Sequence, residues 1–270
     1  MTELLGSVDK LLAVENLLIA MDRDGTLVPY ANRPEEAVVT DSVRRLIDDL
    51  CARRGVVVAV LSARSAAQLR GDFEGAGIVM AGNYGMEVVL PDGSECIQPR
   101  ALQAVPMLKK VRDELSESLD LESGLILEDH GYSLCLHWQN VPISRRDEVH
   151  RAITTTADRF SDLKFREMPT SYEVLPNMPW DKGFGMSFID ASTSGGAPAN
   201  EKRGLLYAGD TESDSPAFDY VNDRGGISIR IGGNGDRLRA QHWLREPSEL
   251  HELVEYMTHR REPRIDVASA

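Results

Sequence analysis

Two carboxylates stand two residues apart in Asp22-Arg23-Asp24-Gly25-Thr26, directly after the apolar run Leu17-Leu18-Ile19-Ala20-Met21. A continuous apolar run bounded in this way predicts a strand buried on both faces, and the Gly beyond it lets the chain turn. The pair would then lie just past the carboxyl end of a strand, in the crevice where open α/β sheets place their ligands. Two carboxylates so placed can divide labour. One can attack an electrophile or hold a metal, and the other can move protons.

Three further features fall at comparable places: Ser62 after Val56–Leu61, Lys182 at the start of an expected helix, and Asp210 with Asp214 after Leu205-Leu206-Tyr207-Ala208-Gly209. A parallel sheet would bring all four to one edge. Carboxylates, a hydroxyl and an ammonium suit phosphoryl transfer with Mg2+, which takes oxygen ligands and binds through one or two carboxylates plus substrate phosphate. The candidate metal ligands are Asp22 and Asp210, with Asp214 either a further ligand or a support behind one, and Asp24 an additional candidate. Lys182 and Ser62 would hold phosphate oxygens by charge and by hydrogen bond. Taken singly, each feature has a plainer reading: a turn, a strand-end Ser, a solvated Lys, and Asp214 as N-cap before Ser215-Pro216-Ala217-Phe218. Their joint occurrence in this order favours chemistry.

The elements that must position these groups alternate strand with helix. Thr40 is an expected N-cap for a helix carrying Val43, Leu46, Ile47 and Leu50, followed by the strand Val56–Leu61 and a short helix over 65–73. Ile78 to Ala81 reads as a strand, and 86–97 as a hairpin turning at Asp92-Gly93. The rhythm then changes to α-β-β-α-β-β: a helix on Val105, Leu108, Val111 and Leu115, strands at 124–129 and 132–138, a helix from Ser144, and strands at 163–167 and 172–175. A helix near Lys182, a Ser/Gly/Pro-rich loop over 191–199, strands at 205–208 and 227–231, a helix near 248–257 and a frayed tail after Arg260 complete the chain. The fold class expected is α/β, a Rossmann-like parallel-sheet core formed by 1–101 and 179–270, with an inserted α+β unit at 102–178. Hinges are expected near 99–103 and 176–180.

Bulk properties narrow the partners. With 30 Lys+Arg against 43 Asp+Glu the net charge is −13, which argues against broad contact with nucleic acid or an anionic membrane. No apolar run approaches the ~18–20 residues of a membrane span, and the N-terminus lacks a basic region like that of a signal peptide. Cys51, Cys96 and Cys135 are an odd, widely spaced set, so neither disulfide nor metal use is expected of them and a cytoplasmic location is. The oligomeric state is left open, a monomer being plausible.

The ordered features, DxDGT, Ser after the second strand, Lys at a helix start and GDxxxD, resemble the haloacid-dehalogenase-like phosphatase superfamily, and the insert resembles its larger (C2-type) cap. A narrower resemblance, to the trehalose-6-phosphate phosphatase family, runs through Met21–Pro29, Leu61–Arg64, Ala81–Glu87, Ser133–Trp138, Glu173–Pro176, Asp181–Gly183 and Tyr207–Asp214. It implies that Asp22 attacks phosphorus to form an aspartyl-phosphate, and that Asp24 serves as general acid and then base, its pKa raised by neighbouring carboxylates. Thr26, Ser62, Ala63 and Lys182 would bind phosphate, and a sugar phosphate would be read by Arg64, Asn83, Tyr84, Glu128, His130, Gln139 and Glu173. Cap closure over the core is also expected.

Several positions depart from the family pattern. Ala63 stands for Gly, Tyr84 for His, Glu128-Asp129-His130 for Glu-x-Lys, His137-Trp138-Gln139 for His-Tyr-Arg, Leu175 for Arg, and Pro169 stands near a missing Lys. The transfer machinery is thus complete while the sugar-reading positions have lost cations. This admits a different disaccharide or an amino-cyclitol pseudo-disaccharide phosphate such as validoxylamine 7'-phosphate, whose amine would suit the retained carboxylates. A phosphosugar mutase, a phospho-acceptor receiver domain and a turnover-free binding relative are weaker readings. Receivers are shorter and carry their Asp after a middle strand, and every catalytic position is retained here.

Overall fold

The computed structural model describes residues 2–31, 33–119, 124–194, 203–233 and 238–264. In chain order the elements are α1 (Thr2–Leu12), β1 (Leu17–Met21), α2 (Asp41–Cys51), β2 (Val56–Leu61), α3 (Ala66–Asp72), β3 (Val79–Gly82), β4 (Glu87–Val89), β5 (Glu95–Ile97), α4 (Pro99–Ser118), β6 (Ile126–Asp129), β7 (Leu134–His137), α5 (Ile143–Ala157), β8 (Leu163–Glu167) and β9 (Ser171–Pro176). They continue with α6 (Lys182–Thr193), β10 (Gly204–Gly209), α7 (Ser215–Asn222), β11 (Ile227–Ile231), β12 (His242–Leu244) and α8 (Pro247–Arg260). The chain forms two compact units, Met1–Cys96 with Trp180–Ala270, and Ile97–Pro179.

In the first unit an eight-stranded sheet runs β12-β11-β10-β1-β2-β3-β4-β5, parallel from β12 to β3 and antiparallel from β3 to β4. Its central strands are apolar throughout because both faces are covered. Leu17, Ile19 and Met21 pack with Leu4 and Val8 of α1, Val43 and Ile47 of α2, and Leu250 and Val254 of α8. The alternate residues Leu18 and Ala20 pack on the other side with Met186 and Ile189 of α6 and Phe218 and Val221 of α7. The Thr40 cap is as expected, its Oγ1 accepting from Val43 N, and Ser65 with Gln68 forms a capping box at the start of α3.

The second unit is an antiparallel sheet, β6-β7-β9-β8. Leu134, Leu136, Tyr172 and Val174 pack against Leu108, Val111 and Leu115 of α4 and Val149 and Ile153 of α5. Strand alternation sends Cys135, His137 and Glu173 to the opposite face.

The structure differs from the expectations at five places. α1 and β12 lie outside the expected elements: α1 carries Leu4, Val8, Leu11 and Leu12 at helical spacing, and β12, at three residues, is too short to show alternation. The expected hinge at 99–103 is the first turn of α4, where the Gln98 side chain accepts from Arg100 N and Ala101 N. α6 extends to Thr193, and most of the expected 191–199 loop lies outside the described residues. The tail is anchored as far as 264: Arg261 donates to Leu12 O (2.6 Å) and Val14 O (2.8 Å), and Arg264 N to Ala52 O (2.7 Å), while 265–270 lie outside the described residues. Among the described residues no helix is long and apolar enough to cross a membrane.

Candidate active site

Strand register decides where the acidic groups stand. Met21 is paired with Ala208 on one side and Val60 on the other, so three adjacent parallel strands release Asp22, Asp210 and Ser62 at one edge. Asp22 N donates to Ala208 O (2.9 Å) and Ser62 N to Ala81 O (2.9 Å), which continues the ladder one residue past each strand. α6 brings the cation. Asp181 caps it through Gly183 N and Phe184 N, which places Lys182 in the first helical turn.

Lys182 is fully buried and stands between two carboxylates, 2.8 Å from Asp22 Oδ2 and 2.6 Å from Asp214 Oδ1. Burial by itself would lower its pKa, but Asp214 and Asp22 more than offset that and hold the ammonium charged. Asp214 does not cap α7. Its oxygens accept from Lys182, from the Tyr207 hydroxyl (2.7 Å), from Thr211 N (2.9 Å) and from Asp210 N (3.1 Å). Against the penalty of burial, Lys182 and these donors hold its pKa below the ordinary value. Asp22 is pushed the other way: burial is the largest cause, Asp214 and Asp210 add to it, and Lys182 opposes. Burial and Asp214 raise Asp210 to about 6. Carboxylate oxygens of Asp22, Asp210 and Asp214 lie within 4.8 Å of one another. Two buried carboxylates and the half-buried Asp210 share one ammonium, so the donor set is short of positive charge and fits a hard divalent cation.

Asp24 is not one of the three carboxylates whose oxygens come together beside Lys182. Its oxygens take the Arg64 fork (Nε 2.7 Å, Nη2 2.9 Å) and Arg23 Nη1 (2.5 Å). Just beyond Asp24 the chain turns tightly at Gly25, with Gly25 N donating to Val28 O and Leu27 N to Arg23 O. Gly25 has φ +81°, and a Cβ there would stand 2.1 Å from Asp210 Oδ2. Gly25→Ala is therefore expected to displace Asp210 and to lower turnover about 100-fold, measurable as kcat on whichever phosphate ester proves to be a substrate. An unchanged kcat would show that Asp210 does not need its present place.

Thr26 is fully buried with Oγ1 3.5 Å from Asp210 Oδ1; Ser62 is buried and its Oγ accepts from Arg64 N (3.2 Å); Ala63 is half-buried beside it. Of the three core residues expected to touch sugar, Arg64 is bound to Asp24, and Asn83 and Tyr84 are buried in a turn. Asn83 (φ +50°) donates to Glu87 Oε1 (2.6 Å), and Tyr84 (φ +60°) donates its N–H to Ser62 O and accepts Trp180 Nε1. In the second unit Glu128 Oε2 is 2.6 Å from His137 Nε2 and 3.7 Å from His130 Nε2. Glu173 is bound by Arg166, whose Nε is 2.9 Å away, and Gln139 is half-buried. Arg166 thus restores a cation where the sequence pattern counted only losses.

Sequence reasoning also missed Tyr207, whose hydroxyl donates to Asp214 (2.7 Å). It missed Arg23, fully buried and donating to Asp72 Oδ2 (2.7 Å) and Ala37 O (2.6 Å). An Arg inside a motif that follows a buried strand was a usable signal; Asp72, at the far end of α3, offered none.

Sheet order, strand-end carboxylates and buried lysine define the haloacid-dehalogenase-like class of fold. The trehalose-phosphatase family model matches residues 20–240, and the chain belongs to that family. It is 30% identical over 93% of its length to a trehalose-phosphate phosphatase of Mycobacterium tuberculosis, covering 63% of that protein. It is 29% identical over 86% of its length to an uncharacterized glycosyl hydrolase of the same organism, covering 17% of it. The chain thus spans less than two thirds of each. The C-terminal domain of C. albicans trehalose-6-phosphate phosphatase has the same fold, with TM-score 0.78 at 17% identity over 93% of this chain and 96% of that one.

Proposed function

We propose that this protein is a phosphoric monoester hydrolase acting on a sugar phosphate, trehalose 6-phosphate being the first candidate. The observation that carries the reading is the Lys182 ammonium held between Asp22 and Asp214 beside Asp210. Asp22, Asp210 and Asp214 would hold Mg2+, which supplies charge neutralisation to the transferring phosphoryl group.

The chain's own residues do the rest. An oxygen of Asp22 attacks phosphorus, the P–O ester bond breaks, and the leaving alkoxide takes a proton from Asp24. Water then attacks the aspartyl-phosphate, giving its proton to Asp24 and releasing phosphate and Asp22. Lys182, Ser62 and the backbone around Ala63 stabilise phosphate oxygens. Since Arg64 and Arg23 occupy Asp24 in this structure, the acid step requires that fork to open when substrate binds. The sugar is read by the inserted unit. Glu173 is neutralised by Arg166 and Glu128 is paired with His137, which weakens the case for an amine-bearing pseudo-disaccharide phosphate.

A screen over mono- and disaccharide phosphates with and without Mg2+ tests this, reading free phosphate and isomerised sugar phosphate separately. Mg2+-dependent release from trehalose 6-phosphate is expected. Isomerisation without release would make the protein a mutase, and preference for validoxylamine 7'-phosphate would move the substrate.

The raised Asp210 gives a pH dependence. Its folded pKa of about 6 lies above the unfolded carboxylate value of about 4, so the metal-free fold loses stability as pH rises through that window and carries the full penalty above it. Mg2+ relieves the penalty only when the carboxylates are ionised. Mg2+ should therefore raise the thermal midpoint more at about pH 7.5 than at about pH 5. Equal shifts would place the cation elsewhere.

A further inference from the structure

Outside the acidic cluster, one group of side chains in the inserted unit has the donors and spacing of a transition-metal site. β6 and β7 pair antiparallel with Glu128 directly opposite Cys135 and Ile126 opposite His137. Cys135 and His137, two residues apart, share the sheet face that Leu134 and Leu136 leave when they turn into the α4/α5 core. Glu128, Cys135 and His137 each place a ligand atom within 4.8 Å of the others. His137 Nε2 is 2.6 Å from Glu128 Oε2, and His130 Nε2 is 3.7 Å from the same oxygen.

We infer that Glu128, Cys135 and His137, with His130 within reach as a fourth donor, form a binding site for a borderline divalent cation of the Zn2+ class. A carboxylate oxygen, a thiolate and imidazole nitrogens are the donors such ions prefer, and Mg2+ does not take sulfur. Donors around a tetrahedral Zn2+ stand roughly 3.2–3.8 Å apart, given bond lengths of about 2.0–2.3 Å. That lies between the 2.6 Å of the Glu128–His137 pair and the 4.8 Å outer limit, so small side-chain rotations assemble the site. Glu128 and His137 side chains keep 20% and 19% of their surface exposed, which gives the ion a way in, while Cys135 is buried. Coordination turns the Cys135 thiol into a thiolate and passes its proton to solvent. The site does not rest on the phosphatase reading, since every ligand lies within residues 97–179.

Co2+ reports the sulfur directly. The full chain, stripped with chelator and saturated with Mg2+ to occupy carboxylate sites, is titrated with Co2+. The expected result is one Co2+ per chain, with a sulfur-to-cobalt charge-transfer band in the near ultraviolet, tetrahedral bands in the visible, and displacement by Zn2+. Cys135→Ser removes the near-ultraviolet band, His137→Ala weakens Zn2+ binding by at least about tenfold, and Asp22→Asn and the double variant Cys51→Ser/Cys96→Ser retain the band. Circular dichroism checks that each variant is folded, and His137→Ala tests the site should Cys135→Ser not fold. Absence of the band, or its persistence in folded Cys135→Ser, overturns the site and leaves Glu128–His137 as a hydrogen-bonded pair.

Discussion

Asp22→Asn is expected to lower turnover by about 10^4-fold or more while leaving the fold intact. The amide cannot attack phosphorus, so no aspartyl-phosphate forms and both half-reactions stop together. The fold survives because Asn keeps the size of Asp and an oxygen to accept from Arg23 N (2.7 Å in the native chain). The substitution also relieves a group whose charge burial already disfavours. Lys182 loses one partner but keeps Asp214 at 2.6 Å, so no buried charge is stranded. Steady-state rates, a trap for phosphorylated protein and a thermal melt check the three parts. A variant retaining turnover within about tenfold of the native enzyme would remove Asp22 from the role of nucleophile.

Lys182→Met is expected to behave differently, with stability and activity lost together. Met fills similar volume, so the effect is electrostatic. Asp22 and Asp214 would face each other and Asp210 across a buried space without the cation that offsets them. Removing one partner of a buried ion pair costs about 3–5 kcal/mol. Tyr207, Thr211 and the Asp210 backbone still bond Asp214, so Asp22 bears most of the change. Urea denaturation at neutral pH should show the loss. Mg2+, which lends positive charge to the same carboxylates, should restore part of the stability but not the rate. A native unfolding midpoint in the metal-free variant would contradict the assigned role of Lys182. The contrast between the two variants separates chemistry from charge balance within one cluster.

Much of the core was legible because its signals are local. The apolar runs of β1 and β2 and the Thr40 cap each rest on neighbours within a few residues, and the strands place Asp22 and Ser62 at their ends. Asp214 shows where that stops. Its sequence context before Ser215-Pro216 is that of a helix cap, yet Lys182, 32 residues away, and Tyr207 claim its oxygens.

What the chain determined by itself was which residue types stand at which strand ends, and therefore that acids, a hydroxyl and an ammonium meet at one sheet edge. What only the tertiary structure decided was how their charges are shared. Asp24 went to Arg64 and Arg23, Glu173 to Arg166, and Cys135, which had no metal-ligand spacing along the chain, gained Glu128 from the adjacent strand. The physical reason is range. Propensity and periodicity act between residues a few positions apart, whereas an ion pair or a ligand set depends on distances of a few ångströms that are fixed only when separate strands and helices have packed.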